Sequence, residues 1–363
     1  MRRFFVIALT LVAVGTLGQS CPPPITPDQL GSYAVGRTTF EVIDPARDDR
    51  TLPVDVWYPA VDDGATPASV YDLVLASIVS DLALDNPPVA EGAFPLIIFS
   101  HGSGGIRFQS IFLVEHLASH GFIVAAPDHV GNSAGDIFLP SPPPFETRDR
   151  PLDVSLLISR MLERSVDPAD AFYLAVDPFK IGVMGHSFGG FTTVAMVSGF
   201  EDVPPDLRVS SILPIAPAVG GLSDEQLASV NVPMLVLSGT LDNVVPIDPS
   251  TIRLFEQASG RRWRIDVDKA GHNSFTDICL FAEVLLDAGL PPELLEFLLG
   301  SVEQGCGPDL IPIEEAQEIT KLYATAFFHA KLARNVGYRS FLTRGYVDRS
   351  GIPVFYFKSP PKL

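Results

Sequence analysis

The chain is short of positive charge. It carries 25 Lys and Arg against 43 Asp and Glu, a formal net charge of -18 over 363 residues. A nucleic-acid partner calls for a basic face, so this balance excludes that class and is most simply a solubility feature. Cysteine is scarce as well, with three in the chain and no CxxC pair. No set of His, Cys, Asp or Glu has metal-ligand spacing, so neither a metal nor another cofactor is expected. No stretch reaches the roughly 20 apolar residues that a helix needs to span a bilayer, and no internal repeat is present.

What stands at the start is MRRFFVIALTLVAVGTLGQSC, two arginines, an apolar run and small polar residues. That is the layout of a secretory signal, read here as residues 1–20. The protein is therefore expected to be exported, to the periplasm or the extracellular space. Cys21 stands at the cleavage point, where it is either a lipid anchor or a plain first residue after cleavage behind Ser20. Export permits disulfides. Cys279 and Cys306, 27 positions apart, would close a loop worth roughly 3–4 kcal/mol in the chain-entropy model if bridged. The alternative is two buried thiols.

After a Pro-rich lead-in, residues 21–32, two strands are expected in SYAVGRTTFEVID and LPVDVWYPA. From FPLIIFS onward, short apolar strands alternate with helices: FIVAAPDH, KIGVMGHS, SSILPIAP, PMLVLSGT and RWRIDVDKAGH interleave with amphipathic segments and precede a last long helix, IEEAQEITKLYATAFFHAKLARN. That alternation predicts an α/β fold with a mostly parallel sheet, helices on both faces and an antiparallel N-terminal edge. Residues 33–363 are read as one domain with insertions near 61–93 and 276–310.

The pattern Gly-x-Ser-x-Gly occurs twice, as GNSAG at 131–135 and GHSFG at 185–189. It carries chemistry only where a buried strand turns sharply into a helix and lifts the serine above the sheet. KIGVMGHSFGGFTTVAMVSGF meets that description, whereas GNSAG runs into prolines at 140, 142, 143 and 144, which forbid a regular helix. Ser187 is thus the candidate nucleophile, and GNSAG is expected at the rim of the site. An acid and a histidine should follow, each behind a later strand. Asp242 in GTLDNVVP and His272 in AGHNSF fit, with Asp248 and Asp266 the competing acids. The glycine-rich turn HGSGG after FPLIIFS, through Ser103, and the residue after the nucleophile, Phe188, are the candidate oxyanion-hole donors. His101 and His129 are expected to line the pocket, His116 and His120 to lie at the surface, and His186 to face away from the reaction.

These motifs together, FSHGSGG, LASHGFIVAAPDH, the RPLDVS helix, VMGHSFGG and GTLDNVVP, resemble the α/β-hydrolase superfamily, and within it the platelet-activating-factor acetylhydrolase and secreted dienelactone-hydrolase-like group. The resemblance implies a serine esterase with Ser187, Asp242 and His272 as triad and Ser103 and Phe188 as oxyanion pair, acting on short- to medium-chain or lipid-like esters. Cutinase-type polyester hydrolases are also similar, although the tryptophan of their aromatic clamp has no counterpart in IAPAVGG. A non-catalytic lipid-surface protein is the rival reading from another class. The apolar helical stretch at 276–310 is either a lid over the acyl chain or ordinary packing.

Overall fold

FPLIIFS places an apolar side chain on each face of the sheet at every step, and it forms a strand that is buried along its whole length, Phe94–Ser100. Leu96 and Ile98 point into one hydrophobic layer, Ile97 and Phe99 into the other, as the two-residue period of a strand requires. The computed structural model describes residues 26–73, 75–137, 139–286 and 288–362. The expected leader and Cys21 lie outside the described residues.

In chain order the elements are β1 (Ala34–Asp44), β2 (Arg50–Ala60), β3 (Ala68–Asp72), β4 (Ser77–Asp85), β5 (Phe94–Ser100), α1 (Ile111–Ser119), β6 (Ile123–Pro127), α2 (Ala134–Ile137), α3 (Asp149–Val166), β7 (Val176–His186), α4 (Phe188–Ser198) and β8 (Val209–Ile215). They continue with α5 (Asp224–Ser229), β9 (Met234–Gly239), α6 (Ile252–Gln257), β10 (Arg262–Val267), α7 (Ile278–Leu286), α8 (Pro292–Cys306), α9 (Ile313–Lys331), α10 (Arg344–Ser350) and β11 (Val354–Ser359). The strands form one 11-stranded sheet in the order β11-β10-β9-β8-β7-β5-β6-β2-β1-β4-β3. From β6 to β10 neighbours run parallel, and β1–β2 and β2–β6 run antiparallel. Helices α1 and α9 cover one face through Leu113, Leu117 and Phe327, while α3 and α4 cover the other through Leu157, Met161 and Val194.

Two stretches depart from the sequence reading. Residues expected as an insertion near 61–93 fold into the sheet as β3 and β4, with β4 parallel to β1. Beyond the long helix α9 the chain returns to the sheet as β11, antiparallel to β10. The segment at 276–310 forms α7 and α8, tied by a Cys279–Cys306 disulfide.

The connection into α7 is fixed by a buried acid. Asp277 accepts N–H bonds from Phe112 at 3.1 Å and from the Gln317 side chain at 3.3 Å. Burial pushes its carboxyl up to about 7, and nearby Glu115 adds to the effect. The folded state therefore binds a proton here that the unfolded chain releases near its ordinary 3.8. Stability from this group falls as pH rises from about 4 to about 7 and is level above that. Asp277→Asn is expected to flatten that decline, measured as urea midpoints at pH 5 and pH 8. An unchanged difference between the two midpoints would refute the assignment.

The chain leaves β5 for β6 on one side and returns to β7 on the other. In open α/β sheets a ligand crevice forms at the carboxyl ends of strands at such a switch point. HGSGG leaves β5, and Ser187 leaves β7, at that place.

Candidate active site

Between β7 and α4 the backbone reverses on a single residue. Ser187 has φ 58° and ψ -115°, a conformation that a non-glycine residue holds only when its surroundings impose it. They do so here through Ser187 N–H to Ile215 O at 2.9 Å and through Ser187 O, which accepts from Phe191 and Ala218, both at 3.1 Å. The flanking glycines are needed for space. A Cβ on Gly185 would lie 2.6 Å from Ser100 O, one on Gly190 would lie 2.7 Å from Pro217 Cα, and one on Gly189 would overlap Ser100 O outright.

His272 opens a short 3-10 turn after β10, and Asp242 sits in the turn after β9. Ser187 Oγ lies 2.8 Å from His272 Nε2, and His272 Nδ1 lies 2.8 Å from Asp242 Oδ2. The other oxygen of Asp242 accepts the N–H groups of Val244 at 2.9 Å and Val245 at 2.7 Å, which holds the carboxylate still. With Asp242 accepting from Nδ1–H, Nε2 is left to accept from the serine. Of the competing acids, Asp266 lies within β10 and pairs with Arg264, and Asp248 is exposed in an irregular turn.

Helix α8 reaches into this constellation. Gln304 Oε1 accepts from Asn243 N–H at 3.1 Å and His272 N–H at 3.4 Å, joining the acid loop to the base loop. This end of the 276–310 segment packs against the site as a brace.

On the opposite side lies the turn His101–Gly105. Three of its amides are committed: Gly102 to Gln109 Oε1 at 2.9 Å, Gly104 to Asn132 O at 3.0 Å and Gly105 to Gly102 O at 3.2 Å. The Ser103 N–H has no protein acceptor among the described residues. Phe188 is the first residue of α4, where an N–H has no intrahelical partner. The turn abuts the elbow, since a Cβ on Gly102 would come 3.5 Å from Ser187 Cβ. Among the described residues no group of His, Cys, Asp or Glu is arranged to hold a metal ion.

Several histidines stand elsewhere than the sequence suggested. His101 and His129 are fully buried beneath the turn and do not line a pocket. His101 Nδ1 donates to Gly102 O at 2.7 Å while its Nε2 accepts from His129 N–H at 3.0 Å. His129 bridges Ser100 Oγ and Asp153. His116 and His120 are buried too, with rings 4.7 Å apart and His120 edge-on to His329. His186 faces away from Ser187 but is not idle. Its Nε2–H donates to His272 O at 2.8 Å, and its Nδ1 accepts from Gln109 Nε2 at 2.9 Å. Burial, with His272 beside it, holds its pKa down at about 3, so it stays neutral in this relay. Sequence reasoning passed over Gln109 and Gln304, because each joins segments far apart in the chain that no local pattern links.

The repeated pentapeptide GNSAG lies against the HGSGG turn. Gly105 and Ser133 form an isolated parallel bridge, Ala134 N–H donates to Gly105 O at 2.7 Å, and Asn132 O takes the Gly104 amide. A single helical turn, α2, begins within it at Ala134 and ends before the prolines.

A chlorophyllase family model matches residues 77–238. The chain is 23% identical to chlorophyllase type 0 of Chenopodium album over 51% of its length and 56% of that protein. It is 25% identical to platelet-activating factor acetylhydrolase of Cavia porcellus over 53% of its length and 50% of that protein. With cutinase 2 of Thermobifida cellulosilytica it shares 28% identity over 44% of its length and 52% of that protein. The chain thus spans about half the length of the curated relatives it matches. A solved structure of ferulic acid esterase from Streptomyces cinnamoneus superposes with a TM-score of 0.66 at 23% identity, over 90% of this chain and 97% of that one, a likeness of fold.

Proposed function

We propose that the chain, which shares the fold of a solved esterase, is a serine ester hydrolase with Ser187, His272 and Asp242 as its triad. The observation that carries this is the unbroken relay of two 2.8 Å contacts from serine to histidine to aspartate on the strained elbow. His272 Nε2 takes the Ser187 proton as Oγ attacks the ester carbonyl, and Asp242 orients and stabilises the imidazolium. The carbonyl oxygen becomes an oxyanion held by the N–H groups of Ser103 and Phe188. The alcohol leaves with the proton from His272. Water, deprotonated by the same histidine, then releases the acid from Ser187.

The substrate reading is a short- to medium-chain or lipid-like carboxylic ester. Leu241 and Val244, in the loop that carries Asp242, are exposed, which offers apolar surface on that loop for an acyl chain. The names of the relatives, chlorophyllase, acetylhydrolase and cutinase, support ester cleavage as the common chemistry. On this reading residues 33–363 form one catalytic domain, exported by residues 1–20, and the disulfide between α7 and α8 supports an oxidising destination.

A fluorophosphonate probe is expected to label Ser187 stoichiometrically, as mapped by peptide mass spectrometry. Nitrophenyl esters from acetate to octanoate should be hydrolysed in the same preparation. Folded protein that neither takes the label nor turns over any ester in the series would end the proposal.

A further inference from the structure

Behind the turn that offers the Ser103 amide lies a buried cation that the mechanism above leaves without a role. Arg150, at the start of α3, is wholly inaccessible to solvent. Among the described residues no carboxylate forms an ion pair with it, and Asp153 acts on it only through space. Burial lowers its pKa to about 9, so it remains charged at neutral pH. Keeping an unpaired charge out of water is costly unless its donors are well used.

They are used on the oxyanion turn. Nη1 donates to His101 O at 2.6 Å and Nη2 to Gly102 O at 2.9 Å. Nη2 and Nε also converge on Asn132 Oδ1 at 2.7 and 3.1 Å. The guanidinium carbon lies 4.5 Å from the centre of the Phe188 ring, so one side chain touches both segments that supply the oxyanion donors. Asn132 completes the arrangement, donating to Ser103 Oγ at 3.1 Å and accepting the Gly104 amide at 3.0 Å.

The Gly102 carbonyl is the decisive atom. It belongs to the same peptide group as the Ser103 N–H. A charged donor on the oxygen of an amide polarises the whole group and strengthens its N–H as a donor, the cooperativity of hydrogen-bond chains in a low-dielectric interior. We propose that Arg150 is a positioning residue of the oxyanion hole: it fixes the Gly102–Ser103 peptide with its N–H towards Ser187 and polarises that N–H for the developing oxyanion. The inference rests on the ester-hydrolase reading of the site. GNSAG then has a function distinct from that of GHSFG, because its Asn132 is the strap that seats Arg150.

The test compares full-length wild type with Arg150→Gln, Arg150→Lys and Asn132→Ala. The readouts are kcat and KM on nitrophenyl butyrate and the Ki of an alkyl trifluoromethyl ketone. Ser187 Oγ adds to that ketone, its proton passes to His272, and the carbonyl oxygen becomes an oxyanion in the hole. Arg150→Gln is expected to lower kcat about 100-fold and raise Ki by a similar factor, with KM within about threefold of wild type. Arg150→Lys, which keeps the charge but cannot fork, should recover part of the loss, and Asn132→Ala should cost about tenfold in kcat. A folded Arg150→Gln variant with kcat and Ki both within about threefold of wild type overturns the proposal. Where that variant fails to fold, Asn132→Ala with wild-type kcat and Ki overturns it. A wild-type protein that neither hydrolyses esters nor binds the ketone defeats the underlying reading instead, a result visible before any variant is made.

Discussion

Ser187→Ala is expected to abolish ester turnover, with kcat falling by about 10⁴–10⁶ and KM changing little. The side chain is half-buried and ends in a single hydroxyl bonded to His272, so its removal leaves no strained or unsatisfied core behind. Folding and thermal stability should therefore be close to wild type. His272→Ala should cost about as much, and the double variant little more than either, because the two groups act on one proton in one step. The measurement is nitrophenyl ester hydrolysis with purified, folded variants. Activity above about 1% of wild type in Ser187→Ala would show that another nucleophile does the work.

The second large effect separates the two pentapeptides. Gly189→Ala would drive a Cβ into Ser100 O, with Ser100 C at 2.5 Å and His101 O at 2.8 Å behind it. Every one of these atoms is backbone of β5 or its following turn, so no side chain can swing aside. Relief requires moving α4 off β5, which separates Ser187 from the oxyanion turn. Overpacking against rigid backbone costs several kcal/mol, a large share of a typical domain's stability of about 5–15 kcal/mol. Gly189→Ala should give little soluble protein, and what is recovered should be inactive. Gly135→Ala, at the same place in the other copy of the pattern, meets only Ser133 Oγ at 3.7 Å and should be tolerated. Equal yields and activities for the two variants would contradict the elbow assignment.

The three residues proposed as the triad could be picked from the sequence because each follows a buried strand and is announced by what surrounds it: glycines around Ser187, a strand ending in Leu-Ser-Gly before Asp242, a strand before His272. The central strands were equally legible, since a strand covered on both faces is apolar throughout. The edges were not. In β3 the residues alternate exposed and buried, and β4 carries Ser80, Asp81 and Asp85 among its apolar positions. A half-covered strand has a weaker signature than a buried one. Nothing in the sequence marked Arg150, at the start of a helix, as buried, and His116 and His120 were expected at the surface. The burial of the two histidines depends on the lead-in residues and on α9 folding over them, with His116 bonded to Pro27 O and His120 to Gln29 O, and that of Arg150 on the turn after β5 and on Asn132. Contacts between segments so far apart in the chain leave no trace in a short window.

The sheet ends at β11, and this sets how the protein behaves when concentrated. An outermost strand presents unpaired N–H and C=O groups to any second chain that arrives extended, and Phe355 and Phe357 are exposed along this one. Two features work against such growth. Exposed Lys358 places a cation on the strand, and Pro360 and Pro361 follow it directly, two residues without the N–H that a pairing neighbour would need. Lys358, Pro360 and Pro361 thus work against extension of the sheet beyond β11.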